Sequence, residues 1–391
     1  SCRAAVARLL AFLCVSGHGS GSAKTDPYCK ARQRTPEEVV ADLARTSGSD
    51  LQHQVPPTGL LNGRPITIVD GTTVSMPDTP ENQAAYPQQR GQKAGLGFPI
   101  CRLVGITCLS SGALLNAAVG CFNGKGGDEQ TLLRTIQDTL ESGDIVIGDA
   151  FFPSYFFLVA MREKGVDVLM EQMGARKRVT DFRRGHRVGE RDHLITLQRP
   201  KQKPYWMSGE TYQAAPTCLT VREFKAGGKI MVTTLLCPKT HQKEALKALY
   251  KQRWSVELDI RHIKETMGMN ILSCKTPAMV LKEIWVYLLA YNLIRLLMAQ
   301  SAFIAGTLPR NLSFKHGLQL WLVWSQKADT SSDAGLYALC ELMAQQRVGN
   351  RPGRIEPRAV KRRPKAYPLL TKPRPQARED VRENGHPKKL K

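Results

Sequence analysis

At residue 64 the chain changes period, and that change constrains its fold more than any other feature. Upstream, apolar residues recur at helical spacing; downstream come short β-branched runs divided by turn residues. Ile66-Thr67-Ile68-Val69-Asp70 is the first run, and strand-like residues continue past Gly71 to Met76. Two further strands, over 101–109 and 113–122, flank Ser110-Ser111-Gly112, a hairpin turn. An amphipathic helix then sets Leu132, Leu133, Ile136 and Leu140 on one face and stops at Gly143. The run Ile145-Val146-Ile147-Gly148-Asp149, a helix over 153–164 and a strand over 166–170 complete the series. This order predicts an α/β fold, a mixed sheet flanked by helices.

Residues 1–60 read as a truncated N-terminal helical remnant, cut from a larger region. Arg3 and Arg8 before an apolar stretch mimic a secretion signal, but no initiator Met precedes them. Thr35, Pro36 and Glu38 spell a capping box for a helix to about Arg45. Residues 61–173 hold the first part of the sheet, and 174–240 read as a β-rich insertion with strands over 193–198, 218–224 and 230–236. Residues 241–348 should be helical: one long helix to about Met267, then helices over 279–303 and 315–346. The apolar stretch over 284–294, closed by Lys282, Glu283 and Arg295, is too short to span a bilayer, so no membrane partner is expected. From 349 to 391 fourteen Lys and Arg face four acids among many prolines, which predicts a disordered basic tail.

Hydrophobic residues make up 42% of the chain, enough for a core, which excludes wholesale disorder. A net charge of +22 suits a polyanion such as DNA or RNA, or simply a basic surface. The ten cysteines form no CxxC and no zinc-finger spacing, and read as reduced thiols of a cytosolic protein.

Asp70 and Asp149 each end an apolar run. Were those strands neighbours, the two carboxylates would repel and favour a divalent cation, Mg²⁺ preferring oxygen ligands. The alternative is two ordinary strand-end acids. On the helix from 241, Tyr250, Arg253, Glu257 and Lys264 fall on one stripe about 60° wide. It is either functional or an exposed face with Arg253–Glu257 and Glu257–Arg261 pairs. Trp206 reads as a stacking platform for an unpaired base or as packing within the insertion. Arg176, Lys177 and Arg178, with Arg183, Arg184 and Arg187, read as a DNA track or as solubilising charge. Arg261 and His262 read as DNA contacts or as a solvated face.

In order, Val-Asp70-Gly-Thr-Thr, Ile-Gly-Asp149-Ala-Phe-Phe and Tyr250-x2-Arg253-x3-Glu257-x6-Lys264 resemble the DDE transposases of insertion-sequence-four type. The last element matches that family's Y-R-E-K signature, with Trp254 beside the arginine, and the likeness covers about residues 30–375. It implies a ribonuclease-H-like core with a β-rich insertion before the last catalytic helix. Asp70, Asp149 and Glu257 would be the catalytic residues and would hold two Mg²⁺ ions, with Mn²⁺ as the alternative. Tyr250, Arg253 and Lys264 would contact the phosphate backbone. It also implies double-stranded DNA as partner, both transposon ends and target, a homodimer on that DNA, and residence with the bacterial nucleoid in the cytoplasm. Two readings compete: a metal-dependent nuclease that cuts without joining, and an inactive DNA-binding remnant.

Overall fold

The computed structural model describes residues 2–18, 21–124, 126–327, 332–349 and 370–385. Most of the expected basic tail, residues 350–369 and 386–391, lies outside these. Its described part departs from the expected disorder, since Arg374–Asn384 is helical.

Helices α1 (Cys2–Val15), α2 (Asp26–Arg34) and α3 (Glu37–His53) precede the first strand. The expected capping box does not form. Thr35 instead closes α2, its hydroxyl donating to the Ala31 carbonyl at 3.2 Å, and Pro36 takes the N-cap position of α3. Helix α3 continues past Arg45 because its glycine lets it lie against the sheet: a Cβ on Gly48 would sit 2.0 Å from the Leu114 carbonyl oxygen.

Strand β1 (Ile66–Ser75) is followed by α4 (Pro80–Ala85), β2 (Ile100–Cys108), β3 (Leu114–Cys121), α5 (Glu129–Ile136) and β4 (Ile145–Gly148). Then come α6 (Tyr155–Glu163), β5 (Asp167–Glu171), α7 (Gly174–Lys177), β6 (His186–Gly189) and β7 (Asp192–Gln198). The short helix α8 (Gly209–Ala214) leads to β8 (Cys218–Ala226) and β9 (Lys229–Thr233). The C-terminal helices are α9 (Lys243–Lys251), α10 (Trp254–Arg261), α11 (Pro277–Ile304), α12 (Phe314–Lys327), α13 (Asp333–Ala344) and α14 (Arg374–Asn384).

All nine described strands form one sheet, in the order β3-β2-β1-β4-β5-β9-β8-β7-β6. Pairs β1–β4 and β4–β5 are parallel and the others antiparallel, so the sheet is mixed. Strands β6 to β9, from the segment expected as an insertion, extend this same sheet through the β5–β9 pair. Alternation along β1 divides the core. Val69 faces α5 and α6, among Leu132, Leu133 and Leu158. Ile66 and Ile68 face the opposite side, with Leu246, Leu249 and Tyr250 of α9 and Val256 of α10. Each such fully buried aliphatic contributes about 1.5–3 kcal/mol.

Two differences from the sequence-based expectation matter for the site. The single helix expected over 241–267 is broken: around Gln252 and Arg253 the bonding tightens, with Arg253 N donating to Tyr250 O and Val256 N to Arg253 O. A π-helical turn, His262–Thr266, then closes it. The helix expected over 279–303 is α11, but Lys282, Glu283 and Arg295 lie within its 28 residues rather than closing the apolar stretch over 284–294. Among the described residues α11 is the one helix long and apolar enough to cross a membrane. Here it lies along α3 and against β3 and α13. Its Asn292 is buried and donates to Ala44 O and Leu114 O, both at 2.8 Å.

Candidate active site

Parallel pairing sets Ile68 opposite Ile147. Two places further along, the same register brings Asp70 level with Asp149, just past the end of β4. Neighbouring strands run about 4.8 Å apart, so the two acids share one edge and one face of the sheet. Asp70 is not a strand-end residue, since β1 continues to Ser75. It sits where β1 outlasts its partner β4, which frees that side of it. Asp70 Oδ1 accepts from Gly71 N at 2.8 Å, and Asp149 Oδ1 accepts from Phe151 N at 2.8 Å. Burial pushes the Asp70 carboxyl above its ordinary range; Gly71 N–H and Arg253 pull it down, while Asp149 and Glu257 push it up.

Glu257 comes from α10 on the same face. Arg253, at the break between α9 and α10, places one guanidinium between two of the acids. Its Nη1 lies 3.6 Å from Asp70 Oδ2, and its Nη2 donates to Glu257 Oε1 at 3.1 Å. Lys264 does not stand free: from the π-turn its ammonium donates to Thr72 Oγ1 at 3.1 Å and Thr73 O at 2.7 Å, tying that turn to β1. The Tyr250 ring is buried in the core beneath, where burial raises its phenol to about 12. Beside these residues is a hollow lined by Lys229, Lys247, Tyr250, Lys251, Arg253 and Trp254, with Trp254 exposed. The broken helix thus turns Arg253, Glu257 and Lys264 toward β1, in place of the single straight helix expected to carry them.

A fourth carboxylate escaped the sequence-based expectation. Glu129 opens α5 behind its N-cap Asp128 and packs on Gly71, where a Cβ would lie 2.4 Å from its Cδ. Its charge is within electrostatic reach of Asp70 and Asp149. Burial is the main cause that raises its proton affinity, with Arg102 opposing and the two aspartates adding to it. An acid at the head of the helix after the third strand was the available signal.

Among the described residues, no three candidate ligands stand close enough to enclose a metal ion as they are. Their chemistry nevertheless fits a hard divalent cation: the carboxylates are hard oxygen donors, and Asp70 and Glu257 already share one cationic group, the Arg253 guanidinium.

The remaining candidates are scattered. Arg134 lies over the Trp206 ring at 4.0 Å, and Phe156 meets that ring edge-on. Arg176 pairs with buried Glu223 at 3.2 Å and Lys177 with Glu171 at 2.8 Å, so both neutralise internal acids. Arg178, Arg183, Arg184 and Arg187 are exposed. His262 is half-buried and stacks on Phe314, with ring centroids 4.7 Å apart; Arg261 is exposed.

A mixed sheet that lines up two aspartates, with a glutamate and cations brought over by a C-terminal helix, defines a class of acid-centred α/β proteins. Residues 61–293 match the Transposase DDE domain family, and the chain belongs to it. It is 28% identical over 354 residues to the transposase InsG for insertion sequence element IS4 of Escherichia coli (strain K12), an alignment covering 88% of this chain and 78% of that protein. The piggyBac transposase, in a synaptic complex with hairpin DNA, aligns with a TM-score of 0.41 and 8% identity, over 74% of this chain and 58% of its own.

Proposed function

We propose that this DDE transposase cleaves DNA at the ends of an insertion sequence and joins them to a target, on a ribonuclease-H-like core whose working acids are Asp70, Asp149 and Glu257. The register that aligns Asp70 with Asp149, together with the guanidinium shared by Asp70 and Glu257, carries this reading. The three carboxylates would hold divalent metal, two Mg²⁺ or in their place Mn²⁺, which when bound activates water or a 3′-OH and stabilises the leaving oxygen.

The protein's own part is to concentrate negative charge at one sheet edge and to surround it with cations. Arg253 bridges Asp70 and Glu257, offsets their repulsion, and offers a donor to an incoming phosphodiester. Tyr250 fixes the turn from below, and Lys264 anchors the π-turn to β1, which sets the distance of Glu257 from Asp70. The hollow with Lys229, Lys247, Lys251 and Trp254 suits a backbone leaving the site. Arg178, Arg183, Arg184 and Arg187 are the exposed part of the basic track, and Trp206 is a further DNA contact. We take the working form to be a homodimer on double-stranded DNA, in the bacterial cytoplasm with the nucleoid.

Asp149→Asn tests the reading, because the amide keeps the shape of the side chain and loses the charge. On DNA carrying the sequences that flank the gene, Mg²⁺-dependent cleavage should disappear while DNA affinity stays near wild type. Cleavage at the wild-type rate would make Asp149 structural. Broken DNA without joined product from the wild-type protein would make it a nuclease.

A further inference from the structure

We infer that Glu129 is a fourth carboxylate of the acid site and helps to bind its divalent cation. The inference rests on the proposed role of Asp70, Asp149 and Glu257.

Geometry sets Glu129 apart from the other acids of the chain. Asp70 and Gly71 are consecutive in β1 and point to opposite faces of the sheet. Glu257 and Arg253 approach Asp70 from the α9–α10 face, whereas Glu129 comes from the α5 face and covers Gly71. The two glutamates therefore approach the aspartate edge from opposite sides. An approach this close depends on the missing side chain at Gly71: a Cβ would fall 2.4–2.8 Å from three atoms of the Glu129 side chain, Cδ, Oε1 and Cγ.

The partners of Glu129 leave its carboxylate uncommitted. Its nearest cation, Arg102 Nε, stands 3.9 Å away, too far for a hydrogen bond, and this buried Nε has no other acceptor. Arg102 directs Nη1 to Gly127 O at 2.9 Å and lies over the Phe122 ring, so it is held where it is. No hydrogen bond to the Glu129 carboxylate oxygens is present among the described residues. A plain structural acid at the head of α5 would gain from the helix dipole. That end already has an acid making the capping bonds: Asp128 accepts from Thr131 N at 3.0 Å and from Thr131 Oγ1 at 2.6 Å. Adding a second carboxylate within reach of Asp70 and Asp149 costs repulsion in the metal-free fold, and a divalent cation removes that repulsion.

The test is Mn²⁺ binding to the full chain by titration calorimetry, together with thermal unfolding with and without Mn²⁺, for wild type, Glu129→Gln, Glu129→Ala and Asp149→Asn. The expected result is a roughly tenfold or greater loss of Mn²⁺ affinity in both Glu129 variants. Their metal-free melting temperatures should equal or exceed wild type, because a repelling charge has gone, and Mn²⁺ should raise them less. Wild-type Mn²⁺ affinity in both Glu129 variants, with Asp149→Asn weakened, would overturn this inference and leave the acid triad standing. Wild-type affinity in Asp149→Asn would instead remove the triad reading itself. The alanine variant covers the case in which glutamine disturbs the packing on Gly71.

Discussion

Arg253 and Lys264 lie on the same face of the site, yet their removal should have different consequences. Arg253 stands between Asp70 and Glu257 with little exposure. Arg253→Ala leaves those carboxylates without their shared cation, so the metal-free protein should lose about 1–3 kcal/mol of stability. Saturating Mg²⁺ should restore most of that loss, since it neutralises the same charges. Strand transfer should still fall ~100-fold, as expected when the group positioning the reacting phosphate is removed. Lys264→Ala removes two charge-assisted bonds to β1 that metal does not replace. Its loss of about 2 kcal/mol should appear with or without Mg²⁺. Melting curves of both variants against Mg²⁺ concentration check the contrast, and an Arg253→Ala protein with normal transfer would leave Arg253 as a structural ion pair only. The sequence placed both residues on one stripe and offered no means of separating them. The difference lies in what each side chain touches on β1, across nearly two hundred positions of chain.

The break in the α9–α10 segment and the π-turn after it decide where these side chains go. His262 opens the π-turn, stacked on Phe314 of α12. Burial, with Arg295 and Arg310 adding and Asp259 opposing, lowers its pKa to about 4. The unfolded chain would take up that proton near pH 6.5, ahead of the folded one. The stability from neutral His262 is therefore complete above about pH 6.5 and drains away as pH falls toward 4. Between pH 6.5 and 5 it should amount to about 1–2 kcal/mol, allowing for the partial exposure of the ring. His262→Phe keeps the stacked ring and removes the titration. Its melting temperature should vary less with pH over this window, and an unchanged slope would show that another group is responsible. Helical periodicity made the segment legible as helix but not its break. The residues over 250–256 carry no helix breaker, and the i→i−3 bonding falls where Tyr250 and Val256 pack with Ile66 and Ile68 of β1. The same limit applied at Thr35, where a good capping sequence yielded to the preceding helix.

For the whole molecule, the charge of +22 is spread unevenly, and the segment from 351 to 391 carries fourteen basic residues. Deleting it should weaken binding to any DNA sequence, and should flatten the log–log salt dependence by roughly one unit for each phosphate it neutralises. Fluorescence anisotropy across a salt series measures this, and an unaltered slope would make the segment a bystander. Below the surface, Asp259 of α10 is fully buried and takes Arg295 of α11 at 2.7 Å and Arg310 at 2.7 Å. Burial opposes its charge, but the two guanidiniums outweigh this and hold its carboxyl below the usual range. This cluster locks the helix carrying Glu257 to the helical layer behind it. The sequence by itself determined the mixed sheet and the acid–base composition of the segment over 250–264, and left the adjacency of Asp70 and Asp149 conditional on their strands pairing. Each of these follows from local periodicity and from apolar runs that have to be buried side by side. The tertiary structure alone decided that β6 to β9 extend the same sheet, that Arg253 bridges Asp70 and Glu257, that Lys264 is tied to β1, and that Glu129 reaches the site over Gly71. Those outcomes depend on meetings between residues far apart in the chain, and a pattern of neighbours carries no record of which distant atoms will compete for the same space and charge.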